Sequence, residues 1–256
     1  MKIAVLVKQV IGAESALQIS QDQKWIDENN ATFIMNPPDN YAIEEAMLIK
    51  EKLGVGEVVV VSMGPQRVQK VIREGLSKGA DRGIHIEEES QIEIAPLIIA
   101  QRFADVLKEE NCDLILTGLQ SDDTGMGQTG ILIGEILGLP TATLVVETNV
   151  MNQDIKIKRE LESGWFLCVQ LPLPASISIQ SGLNTPRYPS LKGIMGAKKK
   201  EIKTVSTSEL TNRTKNQLME NIYVPKASKK TEVIDGPVDK TVERIVEILK
   251  SEIKVV

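Results

Sequence analysis

Aromatic side chains and histidine are scarce in this sequence. Phe, Trp and Tyr make up 3% of the 256 residues, and there is a single histidine, His85. The core must therefore be built from aliphatic side chains, which the 42% hydrophobic content can supply. Histidine-based triads and zinc sites need further partners that no motif signals. We expect His85 to be structural and any chemistry to come from a bound cofactor.

Cysteine and long apolar runs are also lacking. The two cysteines, Cys112 and Cys168, stand alone without a CxxC pair, which favours a reducing, cytoplasmic location. No apolar run reaches the length of a membrane span, and the apolar run within residues 1–8 is too short for a signal peptide. The net charge of −5 gives no reason to expect nucleic-acid binding. Neither membrane insertion nor a nucleic-acid partner is predicted.

Strand and helix patterns alternate as far as residue 139. Apolar runs predict buried strands at residues 2–7, 58–61, 83–86 and 114–116. Apolar residues at helical spacing follow Asn36, Pro65 and Pro96, and a fourth such stretch ends before Gly138. Asn36 is expected to cap the first of these helices, which begins at Pro37. The pattern predicts an α/β fold with a doubly wound, mostly parallel sheet of the Rossmann-like, three-layer type. Ligands of such sheets bind beyond the carboxyl ends of the strands.

A glycine-rich stretch at residues 117–130 joins one of these strands to a helix. It combines four glycines with two carboxylates and several hydroxyl and amide side chains. Such a turn gathers backbone N–H groups at a helix N-terminus, where Gln128 and Thr129 would add hydrogen bonds to a phosphate. It matches neither the Walker A loop nor the dinucleotide fingerprint. Nucleotide binding and an ordinary loop that needs glycine therefore stay open alternatives.

The pattern changes after Pro140. Strands predicted at residues 142–148, 154–161 and 165–171 form antiparallel hairpins, and another strand is predicted at residues 175–179. The proline- and glycine-containing stretch that follows is expected to be a surface loop.

The last part of the chain is predicted to be an arm. The lysine run at residues 198–200 is most simply a solvated face. From residue 201 the sequence is polar until an amphipathic helix begins after Gly236. We therefore place an α/β domain at residues 1–200 and a C-terminal arm at residues 201–256.

Several motifs, taken in order, resemble the β subunit of electron transfer flavoprotein. They are Val7-Lys8-Gln9-Val10, Met35-Asn36-Pro37, Glu44-Glu45-Ala46, Ser62-Met63-Gly64-Pro65, Lys78-Gly79-Ala80-Asp81-Arg82-Gly83, Gln128-Thr129-Gly130, Arg159-Glu160-Leu161-Glu162-Ser163-Gly164, Leu183-Asn184-Thr185-Pro186-Arg187-Tyr188, and Ile194-Met195 before Ala197-Lys198-Lys199-Lys200. Each motif is weak by itself. Their order and spacing from Lys2 to about Lys203 make the resemblance specific.

The resemblance implies an electron carrier rather than a catalyst on its own. It implies a heterodimer with an α subunit, on which one FAD mainly lies, and electron transfer from flavin-dependent dehydrogenases to a membrane or soluble acceptor oxidoreductase of the quinone-reductase type. In most of the family the β subunit also buries a structural AMP, whereas an electron-bifurcating branch holds a second, redox-active FAD there. The Gln128-Thr129-Gly130 ending is similar to the AMP-binding branch, although Gly127 stands where other members often have asparagine. A stand-alone nucleotide-binding module of the universal-stress type is the remaining alternative.

The resemblance and the strand ends together give a set of candidate site residues. Nucleotide contacts are expected from Leu6, Lys8, Asn36, Ser62, Met63, Gly64, Asp123, Gly125, Met126, Gly127, Gln128 and Thr129. The phosphate would lie at residues 125–129 and the adenine near Leu6 and the turn at residues 62–64. The resemblance places partner docking in a loop near residues 182–191, with Leu183 as an exposed apolar anchor among Asn184, Pro186, Arg187 and Tyr188. The arm at residues 201–256 is expected to pack on the α subunit, and no metal site is predicted.

Overall fold

The fold comprises two compact units, Met1–Ile222 and Tyr223–Val256. The computed structural model describes residues 1–89, 95–210, 217, 219–225 and 231–253. The strands are β1 Lys2–Leu6, β2 Gln9–Ile11, β3 Phe33–Met35, β4 Glu57–Gly64, β5 Arg82–Glu87, β6 Leu114–Gly118, β7 Thr141–Val150, β8 Asp154–Glu160, β9 Phe166–Pro172, β10 Ala175–Ile179 and β11 Ile202–Ser206. The helices are α1 Pro37–Leu53, α2 Gln69–Ser77, α3 Pro96–Glu110, α4 Thr129–Leu137, α5 Leu191–Ala197 and, in the second unit, α6 Val238–Glu247.

A nine-stranded sheet organises the first unit. Its strand order is β11-β5-β4-β1-β6-β10-β7-β8-β9. The pairs from β11 to β7 are parallel, and β8 and β9 extend the sheet as antiparallel hairpins. The predicted mostly parallel sheet with antiparallel additions is confirmed. The order reverses at β1, which lies between β4 and β6 and marks the switch point where such sheets bind ligands.

Helices cover both faces of this sheet, which produces the three predicted layers. Ile3 and Val5 of β1 pack with α1 and α2 in one core cluster. Ala4 and Leu6 of the same strand pack with α3 and α4 in another. Because successive strand residues point to opposite faces, and both faces are covered, the central strands are apolar at most positions on both faces. This explains the uninterrupted valines at residues 58–61.

Two pairings lie outside the predicted elements. β2 and β3 pair in a small antiparallel sheet, and an Ile19–Ile26 bridge lies in the segment between them. At the other end of the chain, β11 pairs with β5, so the main sheet continues past residue 200, where sequence analysis ended the domain. Val205 is the one buried residue of β11, and such a short, mostly polar strand gives almost no apolar signal.

The lysine run at residues 198–200 is only partly a solvated face. Lys198 and Lys199 are exposed. Lys200 turns inward, and its ammonium donates hydrogen bonds to the carbonyl oxygens of Leu76 and Ala80 at the end of α2. Burial lowers the pKa of Lys200 below its ordinary value. This lysine therefore caps a helix, and its two neighbours remain in solvent.

The second unit contains the predicted C-terminal helix, α6, which a π-helical turn, Ile248–Glu252, continues. None of its residues is buried, and its apolar residues Val238, Val242, Ile245 and Val246 are exposed. No helix in the part of the chain that the structure describes is long and apolar enough to cross a membrane.

Candidate nucleotide-binding crevice and docking segment

A cavity of about 370 Å³ opens at the carboxyl ends of β1, β4 and β6. Its walls include residues 6–11 after β1, Met63 of β4, residues 117–121 after β6, and the turn that leads into α4. This is the switch point of the sheet order, so the crevice lies where the alternating pattern places ligand binding. We call this cavity the crevice.

Most of the candidate nucleotide residues line the crevice. They are Leu6, Lys8, Asn36, Met63, Asp123, Met126, Gly127, Gln128 and Thr129. Three others are not among the lining residues, namely Ser62, Gly64 and Gly125. Ser62 is fully buried on the sheet face opposite to Met63, because neighbouring strand residues alternate. The carbonyl oxygen of Gly64 instead accepts a hydrogen bond from Nε2 of the buried His85, at 2.7 Å.

Asn36 and Asp39 form the frame of the crevice. Asn36 stands at the N-cap of α1, yet its side chain makes no cap hydrogen bond. It donates instead to Asp39 Oδ1 (3.1 Å) and to the carbonyl oxygen of Gln120 (3.0 Å), and its Oδ1 accepts from the N–H of Asp122 (3.0 Å). The predicted N-cap position is therefore confirmed, but the side chain joins α1 to the glycine-rich turn instead of capping the helix.

Asp39 lies in the first turn of α1, where a carboxylate complements the helix dipole, and it also links three elements. Its carboxylate accepts hydrogen bonds from the backbone N–H groups of Lys8 (2.7 Å) and Gly118 (3.2 Å). Burial raises the pKa of Asp39 to about 7, although these N–H groups and Asn36 act in the opposite direction. A Cβ on Gly118 would lie 2.3 Å from Asp39 Oδ1 and 2.8 Å from the carbonyl carbon of Pro38. Glycine is therefore required where β6 meets α1.

The glycine-rich turn has the geometry of an anion-binding loop. Gly125 and Gly127 both have a φ of +61°, the left-handed region in which glycine is favoured. The turn delivers the chain to the N-terminus of α4, where Gln128 is the N-cap residue without a side-chain cap bond. Free backbone N–H groups and the positive end of the helix dipole therefore face the crevice beside the Gln128 and Thr129 side chains.

Lys8 supplies the nearest positive charge in this end of the crevice. Its ammonium lies 2.7 Å from Asp123 Oδ1 and donates to the hydroxyl oxygen of Ser121 at 3.3 Å. Burial alone would raise the pKa of Asp123, but Lys8, Ser121 and the N–H of Thr124 together hold it below its ordinary value. A bound anion would thus share Lys8 with an ionised Asp123.

An aromatic wall of the crevice was missed by sequence analysis. Trp25, Phe33 and Phe103 line it, together with Arg67. Trp25 lies between β2 and β3, and Phe33 begins β3, so neither belongs to a strand or helix that the apolar pattern predicts. The scarcity of aromatics in this chain was the available signal, since three of its few aromatic residues meet at one cavity.

The docking segment, residues 180–197, differs from expectation at its central leucine. Leu183 was predicted to be an exposed knob, but it is half-buried and packs against the main core. The most exposed apolar side chains of the segment are Tyr188 (95% exposed), Leu191 (83%) and Met195 (70%). Residue 183 follows β10 closely and stays over the core, whereas Tyr188 lies in the loop before α5, and Leu191 and Met195 lie on exposed positions of α5.

Two predicted docking residues bind α1 instead of facing outward. The guanidinium of Arg187 donates to both carboxylate oxygens of the buried Glu44 and to those of Glu51. The amide of Asn184 donates to Glu45 Oε2 and to the carbonyl oxygen of Tyr41, each at 3.0 Å. These contacts fix the docking segment from behind, and the half-buried Pro186 lies between them.

The sequence of this chain is similar to those of known proteins along most of its length. The sequence model of the family described as "Electron transfer flavoprotein domain" matches residues 23–210. A protein named electron transfer flavoprotein subunit beta from Methylophilus methylotrophus is 34% identical over 259 residues, which cover 97% of this chain and 98% of that protein. The mitochondrial subunit beta of Arabidopsis thaliana is also 34% identical and is covered completely. The subunit beta of Bradyrhizobium diazoefficiens is 40% identical over 208 residues, or 80% of this chain.

The chain belongs to the family of electron transfer flavoprotein β subunits. An electron-transfer role, flavin or nucleotide cofactors in the complex and an α-subunit partner follow from membership in that family. Membership also argues against a stand-alone module of the universal-stress type. The residues that the family model matches contain the glycine-rich turn and the docking segment, and they end before α6.

Proposed function

We propose that the crevice of this β subunit holds AMP as a structural ligand. The α subunit would carry most of the contacts to one FAD, which takes electrons from flavin-dependent dehydrogenases and passes them to an acceptor oxidoreductase of the quinone-reductase type. The observation that carries the AMP assignment is the crevice itself, which lies at the switch point of a parallel sheet and ends in a glycine-rich turn before a helix N-terminus.

The size of the crevice favours a mononucleotide. Its volume of about 370 Å³ lies near the lower end of the roughly 300–1,000 Å³ range of small-molecule sites. A complete FAD has two nucleotide halves and would need a cavity with a volume nearer the upper end of that range. A second, redox-active FAD in this crevice is therefore less favoured than AMP.

The lining residues suggest an orientation for the nucleotide. The phosphate would accept hydrogen bonds from the backbone of residues 125–129 and from Gln128 and Thr129, with Lys8 nearby as a positive charge. The adenine would lie against the apolar side chains of Leu6 and Met63. AMP would carry no electrons, so this chain would use the crevice to fix the ends of β1, β4 and β6 around the ligand.

We also propose that the docking segment contacts the dehydrogenase through Tyr188, Leu191 and Met195. These three apolar side chains are largely exposed, whereas Leu183 packs inward. A few protruding apolar anchors can supply most of the binding energy of an interface. A small interface also suits a carrier that must dissociate after each transfer.

The C-terminal arm is proposed to pack on the α subunit. Support comes from α6, which is amphipathic in sequence and has no buried residue. An apolar helical face of this kind gains stability when it is covered. Deleting residues 206–256 should therefore abolish co-purification with the α subunit. A stable heterodimer formed by the truncated chain would contradict the proposal.

The nucleotide content of the complex tests the proposed function directly. Denaturing the co-expressed complex and identifying the released nucleotides by mass should give one AMP and one FAD per heterodimer. Gln128→Ala should lose AMP during gel filtration and keep FAD. Gln170→Ala is the matched control, because Gln170 lies on β9 and donates to Asp154. Two FAD molecules without AMP would contradict the assignment and indicate the electron-bifurcating alternative. If Gln128→Ala retains all of its AMP, the proposed contact between Gln128 and the phosphate is wrong, and the proposal that AMP occupies the crevice still stands.

A further inference from the structure

A flap, residues 12–32, joins β2 to β3 and covers one side of the crevice. Most of its side chains are exposed. Backbone hydrogen bonds hold the flap together internally. The N–H of Gly12 donates to the carbonyl oxygen of Thr32 (2.8 Å), and the N–H of Asp27 donates to the carbonyl oxygen of Gln18 (2.7 Å). Two of its inward-facing side chains, Trp25 and Glu28, line the crevice. A segment with so little buried apolar surface needs specific contacts with the rest of the protein to hold a fixed position.

Arg67 makes specific contacts of this kind with the flap. It lies in the short 3₁₀ turn Gln66–Val68 before α2. Its Nη2 donates to both oxygens of Glu28, at 3.0 and 3.2 Å, and its Nη1 donates to Gln9 Oε1 at 2.7 Å. Its carbonyl oxygen accepts from Gln9 Nε2 at 3.1 Å, so the arginine is itself fixed to β2.

The same guanidinium orders the aromatic wall. It lies over the ring of Phe33, 3.9 Å from the ring centre, which is the geometry of a cation–π contact. Glu28, which Arg67 holds, accepts a further hydrogen bond from Trp25 Nε1 at 3.2 Å. Arg67 therefore positions Phe33 directly and Trp25 through Glu28. A planar guanidinium with donors in a rigid fork can make these contacts together, and a lysine cannot.

We propose that Arg67 is a positioning residue of the nucleotide site. It holds the flap closed, so that Trp25 and Phe33 exclude water from the crevice, and the nucleotide leaves more slowly as a result. This inference rests on the proposed occupancy of the crevice by AMP. An isolated, half-exposed ion pair would contribute little, so the proposal depends on the combination of the Glu28, Gln9 and Phe33 contacts in one side chain.

The test compares Arg67→Met, Arg67→Lys and Glu28→Gln with wild type in the co-expressed complex. Labelled AMP is bound, chased with excess unlabelled AMP, and its release rate is measured. We expect release to be about tenfold faster for Arg67→Met and about threefold faster for Glu28→Gln. Arg67→Lys should rescue only part of the loss, because it keeps the charge and loses the fork.

Glu57→Gln is the matched control. Glu57 pairs with Arg82 at the opposite end of the sheet, and its side chain is 35% exposed, close to the 38% of Glu28. Its removal should leave AMP release unchanged. Hydrogen exchange at the flap amides of Gly12, Ser20 and Asp27 should accelerate in the Arg67 and Glu28 variants and stay at the wild-type rate in Glu57→Gln.

The outcomes separate this inference from the proposed function. Wild-type AMP release in both Arg67→Met and Glu28→Gln, together with faster flap exchange, would overturn the positioning role and leave AMP binding intact. A wild-type complex that contains no AMP would overturn the proposed function and this inference with it. If Arg67→Met fails to fold, Glu28→Gln decides alone, because it replaces one oxygen of a half-exposed side chain.

Discussion

The crevice and the docking segment are both built on α1, but in opposite ways. At the N-terminus of the helix, Asp39 binds the backbone N–H groups of Lys8, after β1, and of Gly118, at the end of β6, and Asn36 binds the glycine-rich turn. Along its flank, Glu44 and Glu45 hold Arg187 and Asn184, and the apolar residues of the docking segment point away from the protein. The proposed nucleotide would thus meet a preformed polar frame, whereas the proposed dehydrogenase would meet exposed apolar side chains.

The largest expected effect lies in the frame of the crevice. In Gly118→Ala the new Cβ would collide with Asp39 and with the backbone of Pro38. Neither can move without breaking the junction of α1 and β6, so we expect a loss of about 3 kcal/mol in the free energy of unfolding and a loss of bound AMP. Urea unfolding and nucleotide analysis measure both.

The control for this change lies in the docking segment. A Cβ on Gly196 would meet no atom within 4 Å, so Gly196→Ala should keep wild-type stability and AMP. Equal stability of Gly118→Ala and wild type would mean that the frame is less rigid than its contacts indicate.

A smaller loss is expected where α1 holds the docking segment. Arg187→Met leaves the buried Glu44 without its ion-pair partner. The arginine is partly exposed, so we expect a loss of about 2 kcal/mol in unfolding free energy, less than for a fully buried pair. Slower electron transfer from the dehydrogenase should accompany it, and AMP content should stay unchanged. Loss of AMP in this variant would show that the two regions are coupled through α1.

The two regions should also differ in the sign of their pH dependence. Burial raises the pKa of Asp39 to about 7, above its value of 3.8 in the unfolded chain. Between these values the folded state holds a proton that the unfolded state has lost. The contribution of Asp39 to stability is therefore present at low pH and falls by about 1 kcal/mol per pH unit as the pH rises towards 7.

Glu51, the residue of α1 that binds Arg187 of the docking segment, behaves in the opposite way. Its hydrogen bond from Arg187 holds the pKa of Glu51 below the ordinary value, so its contribution is present at neutral pH and is lost as the pH falls. Urea unfolding of wild type, Asp39→Asn and Glu51→Gln at several pH values between 4 and 7 measures both signs. The advantage of wild type should shrink with rising pH against Asp39→Asn and grow against Glu51→Gln. The same trend in both would contradict this contrast.

The smallest effect on stability is expected at the exposed leucine. Leu191→Ala should leave unfolding free energy, AMP and FAD unchanged, because the side chain packs on little. Electron transfer from the dehydrogenase should slow by about tenfold at low carrier concentration, while reduction by dithionite stays normal.

Leu183→Ala provides the matched comparison for the docking surface. It should lower stability by about 1 kcal/mol, because half of the side chain packs on the core. Its electron-transfer rate should stay near that of wild type. Slow electron transfer in Leu183→Ala, together with a wild-type rate in Leu191→Ala, would show that Leu183 is the docking residue, as the sequence predicts.

The sequence by itself determined the sheet and the position of the crevice. Apolar runs at β1, β4, β5 and β6 can only be satisfied between two layers of helices, and glycines at residues 125 and 127 are required by the backbone of the turn. Local patterns of this kind depend on neighbours in the chain, so they can be read without the fold.

Only the tertiary structure decided what the polar side chains do. Asn36 and Asp39 look like a helix start in sequence, but their partners are supplied by residues about 80 positions away. Arg67 finds Glu28 across the crevice, and Arg187 finds Glu44 across 143 positions of the chain. The exposure of Leu191 and the half-burial of Leu183 likewise depend on where the end of β10 and the helix α5 lie relative to the core. A hydrogen bond or an ion pair depends on distance in space, and spacing along the chain does not encode it.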